Sequence, residues 1–488
     1  MLRQWQKAGT AAGLSLVLYD NRDRDHSNMH YGKFPQLTRI EYAKAAREKN
    51  LDHGLQRWFR FNYPTIGNSS TATTSGVYWR SNPRLAMGNR NAMKLAYLHY
   101  VTNHLYFYPE HRDHDPGHNG KGGHGDVFPA NTPYFVISQG SSGSDRVFMD
   151  AVAATIAAFR PKTQKRLREN GVLMPTVQMI FRRANKMVKS DDDYLDGRAH
   201  PTVFTKQQLN VKRMVELAHE MKADQVPAMV QLRVLKESEP KPGVNIFVPP
   251  ASEKILDTPA AIARVHHTTD YARRMRVSAA KSRDVNGHKL KFAWRLLRGD
   301  PDKVRIKPVK PDRSIVDLQI AWHERRPIRP GAKMASNRVD IGVFVHNGYH
   351  WSAPGFISIT FPDDEDRTYT DNHRIASITY KPKSKGGNYV DPMIVPARHW
   401  RDEYLYTDDG KLRGWKRSIG GKQQRYTRHG ALMTRADDHG RPVRAVGVTY
   451  QIKRSKAKAR PRVTPKATKN AISYDYASDR DQLGEVAQ

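Results

Sequence analysis

Two asparagine–glycine turns divide residues 277–361 into runs in which apolar and polar side chains alternate. One turn contains Asn286 and Gly287, and the other contains Asn347 and Gly348. Alternation with a period of two is typical of strands with one buried face, and an Asn-Gly pair is a strong hairpin signal. The pattern therefore predicts a small β-sandwich, with a tight hairpin at the first of the two turns.

The same segment resembles the PKD family of immunoglobulin-like sandwiches. In that family, a Ser-x-Asp-x-(Asn/Asp)-Gly turn precedes a strand that carries an aromatic-x-Trp pair. The matching residues here are Ser282, Asp284, Asn286, Gly287, Phe292 and Trp294. The resemblance implies a sandwich with the Trp294 ring between its sheets. Such domains are mostly spacers or interaction modules of proteins that work outside the cytoplasm.

A longer stretch, residues 16–380, resembles a family of bacterial proteins in which an α/β region with a Ser/Gly loop precedes a PKD-like sandwich. The phrases that carry the resemblance are YPEHRDHDPG, ISQGSSGSD, AWHERRP and RVDIGVFVHNG. This resemblance implies an order of domains, and no activity comes with it.

Short apolar runs alternate with longer amphipathic segments in the first half of the chain. The runs LSLVLY, HLYFY, YFVIS and PTVQMIF have the length of strands, and the segments between them have the apolar spacing of helices. Such alternation predicts a partly parallel α/β domain. Beyond the sandwich, three Asp-rich turns each precede an alternating strand, which favours hairpins.

The predicted organisation follows from these patterns and from a Pro-rich stretch after Glu237. It comprises an α/β domain at 13–236, a linker at 237–268, an immunoglobulin/PKD-like sandwich at 269–362, a β-hairpin-rich region at 363–452 and a basic, disordered tail at 453–488.

The composition restricts the chemistry and the partners. The absence of cysteine excludes thiol catalysis, cysteine-ligated zinc and disulfides. No apolar run approaches the length of a transmembrane helix. The 82 Lys and Arg residues against 48 Asp and Glu residues give a net charge of +34, which attracts polyanions. An anionic polysaccharide or other cell-surface polymer is the preferred partner, because the sequence contains no nucleic-acid-binding signature. Intracellular, nonspecific binding of nucleic acid remains the alternative.

The first residues leave the question of export open. Arg3 and Lys7 precede a weakly apolar stretch, as in a signal peptide, but residues 14–19 fit a first strand better and no cleavage site follows. We expect an extracytoplasmic protein whose coding region has been assigned a start codon too far downstream.

A loop rich in histidine, acids and glycine is the first candidate for chemistry. Its side chains of metal-ligating type are His111, Asp113, His114, Asp115 and His118. Imidazole and carboxylate groups in a flexible loop can converge on a divalent cation, either calcium or zinc. The alternative is a solvated loop whose acids pair with neighbouring bases. Asp20, Asp23, Asp25 and His26, at the carboxyl end of the first strand, could join such a cluster.

A turn rich in serine and glycine joins a strand to a long helix, and three interpretations of it are open. Its backbone amides and hydroxyls could hold an anion or substrate, with Gly140, Ser141, Gly143, Ser144 and Asp145 as the binding residues. Ser144 or Asp145 could instead serve only as a helix cap.

The third interpretation of this turn is a nucleophile elbow. Gly140-Ser141-Ser142-Gly143-Ser144 is a degenerate G-x-S-x-G in which Ser142 holds the position of the nucleophile. His200 would be its base, and Asp196 or Asp193 would orient that base. The chain would then be a serine hydrolase acting on esters.

Overall fold

A parallel five-stranded sheet organises the N-terminal half of the chain. The computed structural model describes residues 2–12, 16–24, 26–54, 57–69, 81–111, 125–126, 128–248, 252–362, 364–380, 397–453 and 462–487. The sheet has the strand order β2-β1-β3-β4-β5 and contains β1 (Val17–Asn21), β2 (Leu37–Arg39), β3 (Thr65–Asn68), β4 (His104–Pro109) and β5 (Phe135–Ser138). All its neighbouring strands run parallel, so their carboxyl ends meet at one edge.

Helices connect and cover these strands. They are α1 (Leu2–Ala11), α2 (Lys44–Glu48), α3 (Asn82–Met87), α4 (Arg90–Val101), α5 (Arg146–Ala158), α6 (Pro161–Glu169), α7 (Leu173–Arg183), α8 (Asp191–Tyr194) and α9 (Val211–Glu220). Helix α5 is buried on most of its circumference and packs against α1, α7 and α9. No helix in the described part of the chain has the length and apolar character needed to cross a membrane.

One predicted strand is a helix. The run PTVQMIF, residues 175–181, lies inside α7, where every one of its side chains is buried. Residues 175–181 contain no charged side chain, and a short uncharged run of this kind has the same pattern in a buried helix as in a buried strand.

Two sheets packed face to face follow the α/β domain. Their strands are β6 (Arg233–Glu237), β7 (Lys254–Thr258), β8 (Ala261–Val265), β9 (Ala272–Ser278), β10 (Lys291–Arg298), β11 (Val304–Pro308), β12 (Ile315–Ala321), β13 (Arg326–Pro327), β14 (Ala335–Ser336), β15 (Arg338–His346) and β16 (Gly355–Thr360). One sheet has the order β10-β15-β16-β8-β7 and the other has the order β11-β12-β9-β6, while β13 and β14 form a separate short ribbon.

Apolar side chains from both sheets form one core. Val277 and Leu318 come from one sheet, and Ile341 and Ile357 come from the other. Trp294 lies in the same core, and its indole nitrogen donates to the carbonyl of Arg313 at 2.9 Å. The apolar part of the ring thus fills the space between the sheets, and its buried N–H group has a hydrogen-bond acceptor.

The expected hairpin at the first Asn-Gly turn is not formed. Strands β9 and β10 flank this turn but lie in opposite sheets. Asp284 accepts the amide of Asn286 at 2.8 Å and also the side-chain amide of Asn347 at 2.6 Å. The first contact makes the local turn, and the second fixes it to the far sheet, so the chain crosses from one sheet to the other.

The domain boundaries also differ from those predicted. Strands β6, β7 and β8 pair within the sandwich, so the Pro-rich stretch at 240–243 is a loop of this domain rather than a linker between domains. Pro and Gly mark turns inside domains as well as between them.

The C-terminal region is a nine-stranded antiparallel sheet in which neighbours in sequence are neighbours in space. Its strands are β17 (Glu365–Tyr369), β18 (Ile375–Tyr380), β19 (Arg401–Tyr406), β20 (Leu412–Ile419), β21 (Lys422–Thr427), β22 (Leu432–Ala436), β23 (Pro442–Lys453), β24 (Arg462–Asp475) and β25 (Glu485–Val486). The three Asp-rich turns lie at hairpins of this sheet. Strand β24 occupies much of the predicted disordered tail, because pairing with β23 satisfies its backbone despite the low apolar content.

Candidate functional site

Polar side chains collect at the carboxyl edge of the parallel sheet. They stand at the ends of the strands or in the segments that follow, and all of them are buried: Asp20, Asp23, Ser27, Asn68, Glu110, Ser138 and Asp145. We call these seven residues the edge site. Buried polar groups at the carboxyl ends of parallel strands are characteristic of ligand sites in α/β proteins.

Asp20 is held by two tyrosines. The hydroxyls of Tyr42 and Tyr106 each donate to its carboxylate at 2.6 Å. Burial raises the pKa of Asp20, while the nearby Arg22 and the two hydroxyls act in the opposite direction. With both carboxylate oxygens engaged, Asp20 positions its neighbours and is less suited to contact a ligand.

Ser27 brings three segments together. Its hydroxyl accepts the backbone amide of Gly143 at 2.7 Å, and its carbonyl accepts the side-chain amide of Asn68 at 3.3 Å. The segment after β1, the end of β3 and the turn before α5 therefore meet at one residue. This contact sets the position of the turn relative to the sheet.

Asp145 begins helix α5, but its side chain does not cap that helix. The residue is fully buried, and among the described residues neither carboxylate oxygen has a well-aligned hydrogen-bond partner. Burial raises the pKa of Asp145 to about 6, although Ser27 and Asn68 lie close enough to oppose the shift. The raised pKa brings the ionisation of this carboxyl closer to neutral pH than that of an ordinary aspartate.

Two backbone amides of the Ser/Gly turn donate hydrogen bonds to other residues of the protein. The amide of Gly140 donates to the Glu110 carboxylate at 3.0 Å, and that of Gly143 donates to Ser27. The hydroxyls of Ser138 and Ser144 are 2.7 Å apart, which ties the end of β5 to the start of the helix. The anion-site hypothesis loses two of its donors to protein acceptors, and the buried Glu110 and Asp145 carboxyls oppose an anion there.

The remaining serines of the turn, Ser141 and Ser142, are both exposed. The side chain of Asp145 makes no capping hydrogen bond to α5, and the Ser144 hydroxyl lies 2.7 Å from the Ser138 hydroxyl. The helix cap that the sequence suggested at Asp145 is therefore not formed.

The proposed catalytic triad is not assembled. His200 is buried against the rings of Tyr194 and Phe344, and its Nε2 contacts the Tyr194 carbonyl. Burial, with Arg182 nearby, holds the pKa of His200 well below its usual value. Neither ring nitrogen of His200 bonds to Ser142 or Asp196. The carboxylate of Asp196 instead accepts from the backbone and the side chain of Arg198.

Only part of the proposed metal site can be placed. The backbone amide of His111 donates to the Gly140 carbonyl at 3.1 Å, so this histidine adjoins the Ser/Gly turn. Asp113, His114, Asp115 and His118 lie outside the described residues. Within the described ranges, no group of three or more histidines and acids is arranged to hold a metal ion.

The acidic residues and the histidine that follow β1 differ in how deeply they are buried. Asp23 is buried, and its charge is close enough to raise the pKa of Asp145. His26 is largely exposed and lies beside Asp23. Asp25 lies outside the described residues. Asp20 and Asp23 are thus buried at the carboxyl end of β1, and their participation in a metal cluster stays a prediction.

Sequence reasoning missed Ser27, Asn68 and the two tyrosines that hold Asp20. Tyr106 lies on a strand that the sequence predicted, β4, whereas Asn68 ends β3, a strand that the sequence analysis did not predict. Ser27 and Tyr42 carry no signal in the sequence, because their roles depend on contacts between distant segments.

The comparisons with known proteins do not define a family. No protein-family model matches the sequence, and no similar protein was found among those of curated function. One similar solved structure is a nucleoside hydrolase-related hypothetical protein from Saccharophagus degradans associated with carbohydrate metabolism, at 10% identity and a TM-score of 0.20. It covers 61% of this chain and 71% of that one.

Another similar structure is the N-terminal Ig1-2 module of the Drosophila receptor protein tyrosine phosphatase DLAR, at 12% identity and a TM-score of 0.14. It covers 41% of this chain and 93% of that one. At TM-scores this low, neither structure is a guide to the fold or the function of this chain. The edge site must be interpreted from its own chemistry.

Proposed function

We propose that the protein binds an anionic polysaccharide outside the cytoplasm and hydrolyses a glycosidic bond of it at the edge site. The observation that carries this proposal is the Asp145 carboxyl, which is buried beside Ser27 and Asn68 and has a pKa raised to about 6. Glycoside hydrolysis usually needs one carboxyl that stays protonated and a second that is ionised.

The donor and acceptor character of the edge site favours sugar hydroxyls as ligands. Asp145 and Asn68 both present buried side-chain oxygens that have no well-aligned hydrogen-bond partner among the described residues. Such oxygens accept hydrogen bonds, so the complementary ligand donates them, and sugar hydroxyls do so. A phosphate group donates nothing at neutral pH and would meet the carboxyls of Asp20 and Glu110.

In this proposal Asp145 donates a proton to the glycosidic oxygen as the bond to the anomeric carbon breaks. Asp23 accepts a proton from the water that attacks that carbon. One water is consumed, and both carboxyls return to their starting states by exchange with solvent. Asp20, with Tyr42 and Tyr106, holds the end of β1 in place.

The rest of the molecule supports a polyanionic, extracytoplasmic substrate. The two-sheet domain around Trp294 is proposed to be a PKD-like, immunoglobulin-like module. The net charge of +34 attracts a polyanion from solution, with a strong dependence on salt. A divalent cation in the His/Asp loop, calcium or zinc, is an additional proposal that rests on the donor set of residues 111–118.

The test measures reducing ends released from polygalacturonate, hyaluronan, chondroitin sulfate and neutral xylan between pH 4 and 8. We expect release from an acidic polymer, with a rate that falls above about pH 6 as Asp145 ionises. Asp145→Asn should lower the rate by about 100-fold or more. The matched control is Asp150→Asn on the same helix, which should retain the rate.

The proposal fails if no polymer is cleaved, or if Asp145→Asn retains the rate of the unmodified protein. Equal, salt-sensitive binding of every acidic polymer and of DNA, without cleavage, would favour the nucleic-acid alternative.

A further inference from the structure

A second cavity lies between the sandwich and the C-terminal sheet. It has a volume of about 700 Å³. Its lining residues are distant along the sequence from those of the edge site. The sandwich contributes two loops, at 238–247 and 269–274, and the C-terminal sheet contributes the hairpin at 372–375 together with Tyr406. We call this cavity the sandwich cleft.

A stacked aromatic pair forms part of its wall. The rings of Tyr271 and His373 lie 4.2 Å apart at an angle of 6°. Tyr271 also packs edge-on against Tyr369, which fixes its orientation. Beside this pair, the guanidinium of Arg374 lies 5.9 Å from the centre of the Tyr406 ring. Flat rings that line a cleft offer a surface on which the apolar face of a sugar can pack.

Three cations of the cleft have no acidic partner at salt-bridge distance. Lys241, Arg274 and Arg374 are exposed, and within the described residues they form no salt bridge. The cleft contains two acids, of which one is paired with a cation outside the cleft and the other, Asp270, lies near Arg274. Glu239 pairs with Lys254 at 3.3 Å, and Asp270 accepts the side-chain amide of Asn245 at 2.9 Å. The cleft therefore presents positive charge to a ligand.

His373 occupies a backbone conformation that glycine holds in the related turns. Its φ is +59°, and the corresponding residues of the other two Asp-rich turns are Gly410 at +80° and Gly440 at +73°. The three turns share their hydrogen bonds, as in the pairs His373–Thr370 and Gly410–Thr407. Glycine adopts a positive φ most freely, so the histidine at this position adds a ring that the other two turns lack.

We propose that the sandwich cleft binds an acidic sugar residue, which packs on the Tyr271–His373 pair and directs its carboxylate or sulfate to Arg274, Arg374 and Lys241. The side-chain amides of Asn372 and Gln319 line the same cavity and suit sugar hydroxyls. This inference deepens the proposed function, since it assigns recognition of the acidic group to a site separate from Asp145.

The test uses trigalacturonate as the probe, with maltotriose as its neutral counterpart and a short oligothymidylate as a polyanion without sugar acids. Binding is measured by titration calorimetry at physiological salt. We expect trigalacturonate to bind at least about tenfold more tightly than maltotriose, because charge-assisted contacts outweigh stacking alone. Oligothymidylate should bind weakly.

Two variants locate the binding. His373→Gly removes the ring and relieves the strained backbone, so it should fold at least as well as the unmodified protein while binding weakens by about tenfold. Arg374→Gln should weaken binding of trigalacturonate to a similar degree and leave binding of maltotriose unchanged. The matched controls are His439→Ala, in another Asp-rich turn, and Arg435→Gln, on an exposed strand; both should bind normally.

Three results would overturn the inference. They are equal binding of trigalacturonate and maltotriose, unchanged binding by His373→Gly, and binding of oligothymidylate that is as tight as that of trigalacturonate and equally sensitive to both variants. Asp145→Asn separates this inference from the proposed function, because it should abolish cleavage and retain the effect of His373→Gly on binding. If the unmodified protein cleaves no polymer but His373→Gly still weakens binding, the result counts against the edge site and leaves the sandwich cleft standing.

Discussion

The Tyr106 hydroxyl reaches Asp20 across an intervening strand, with a hydrogen bond of 2.6 Å. Tyr106 lies on β4 and Asp20 on β1, and Gly67 of β3 stands between them in register. The ring passes over the glycine, since a Cβ added there would lie 2.5 Å from the ring and 2.7 Å from the Asp20 carbonyl. The absence of a side chain at position 67 is what permits this contact.

Gly67→Ala should therefore destabilise the protein. The added methyl group must displace the Tyr106 ring, and overpacking of this kind costs about 1–3 kcal/mol. Urea unfolding followed by circular dichroism measures the loss. Gly32→Ala is the matched control, because a Cβ at that position meets no atom, and it should be neutral or slightly stabilising. Equal midpoints for the two variants would mean that Tyr106 moves aside freely.

The ionisation of Asp145 should make stability depend on pH. Its pKa is about 6 in the folded protein against an ordinary value of 3.8, so the folded state holds the proton more tightly than the unfolded state. The free energy of unfolding then falls as pH rises from about 4 to 6, and it stays low above that range.

Asp145→Asn should remove this fall, so the variant should exceed the unmodified protein by up to about 3 kcal/mol above pH 6 and match it near pH 4. Urea unfolding at both pH values gives the comparison, and the exposed Asp192→Asn is the control. A constant difference between the two proteins at all pH values would contradict the raised pKa.

Glu237 should contribute stability that is lost in acid. Its carboxylate accepts from the buried Arg264 at 2.8 Å and from the buried Arg273 at 2.6 Å. Burial by itself would raise the pKa of Glu237, but the two arginines outweigh it and lower the pKa to about 2. The stabilisation is complete above the ordinary value of 4.5 and disappears as pH falls towards 2.

Glu237→Gln should lower the free energy of unfolding by about 3–5 kcal/mol at pH 7, because it leaves buried arginines without full compensation. Thermal unfolding across the pH range from 2 to 7 should show a smaller acid-induced loss in the variant. Glu403→Gln, which breaks an exposed pair with Arg401, is the control and should change stability by less than about 1 kcal/mol.

Arg338 should couple the α/β domain to the sandwich. From β15 its guanidinium contacts Asp126 at 3.0 Å and the Thr202 hydroxyl at 2.7 Å, and it pairs with Asp340 at 2.8 Å within its own strand. Arg338→Met leaves two buried carboxylates without this cation, which typically costs about 3–5 kcal/mol.

Calorimetry should show the thermal transition of the Arg338→Met variant shifted downward and divided into two, as the domains lose their shared contact. Arg276→Met breaks an exposed pair with Asp317 and should leave the thermal transition as it is in the unmodified protein. An unchanged transition in Arg338→Met would show that apolar packing alone joins the domains.

Several elements were predictable because local chemistry decides them. The apolar runs of β1, β4 and β5 and the amphipathic segments of α4 and α9 have the periods of their structures. The Asp-rich turns likewise form from contacts between neighbours, as when the amide of His373 donates to the carbonyl of Thr370.

The candidate site was predictable only in outline. The Ser/Gly turn and Asp145 lie where a strand-to-helix junction places them, whereas the residues beside the Asp145 carboxyl come from far along the chain, at Ser27 and Asn68. His200 looked like a catalytic base because a loop histidine is often exposed. Its burial against Phe344 depends on how the sandwich packs on the α/β domain.

By itself, then, the sequence determined which segments are strands, helices and turns wherever a side-chain period or a turn residue acts within a few positions. The tertiary structure alone decided that β9 and β10 lie in opposite sheets, that 462–475 pairs as a strand, and that the edge site gathers Asp20, Asn68 and Asp145. The reason is physical. Turn geometry and periodicity are local, whereas strand pairing and the burial of a carboxyl depend on surfaces that meet only when distant segments pack together.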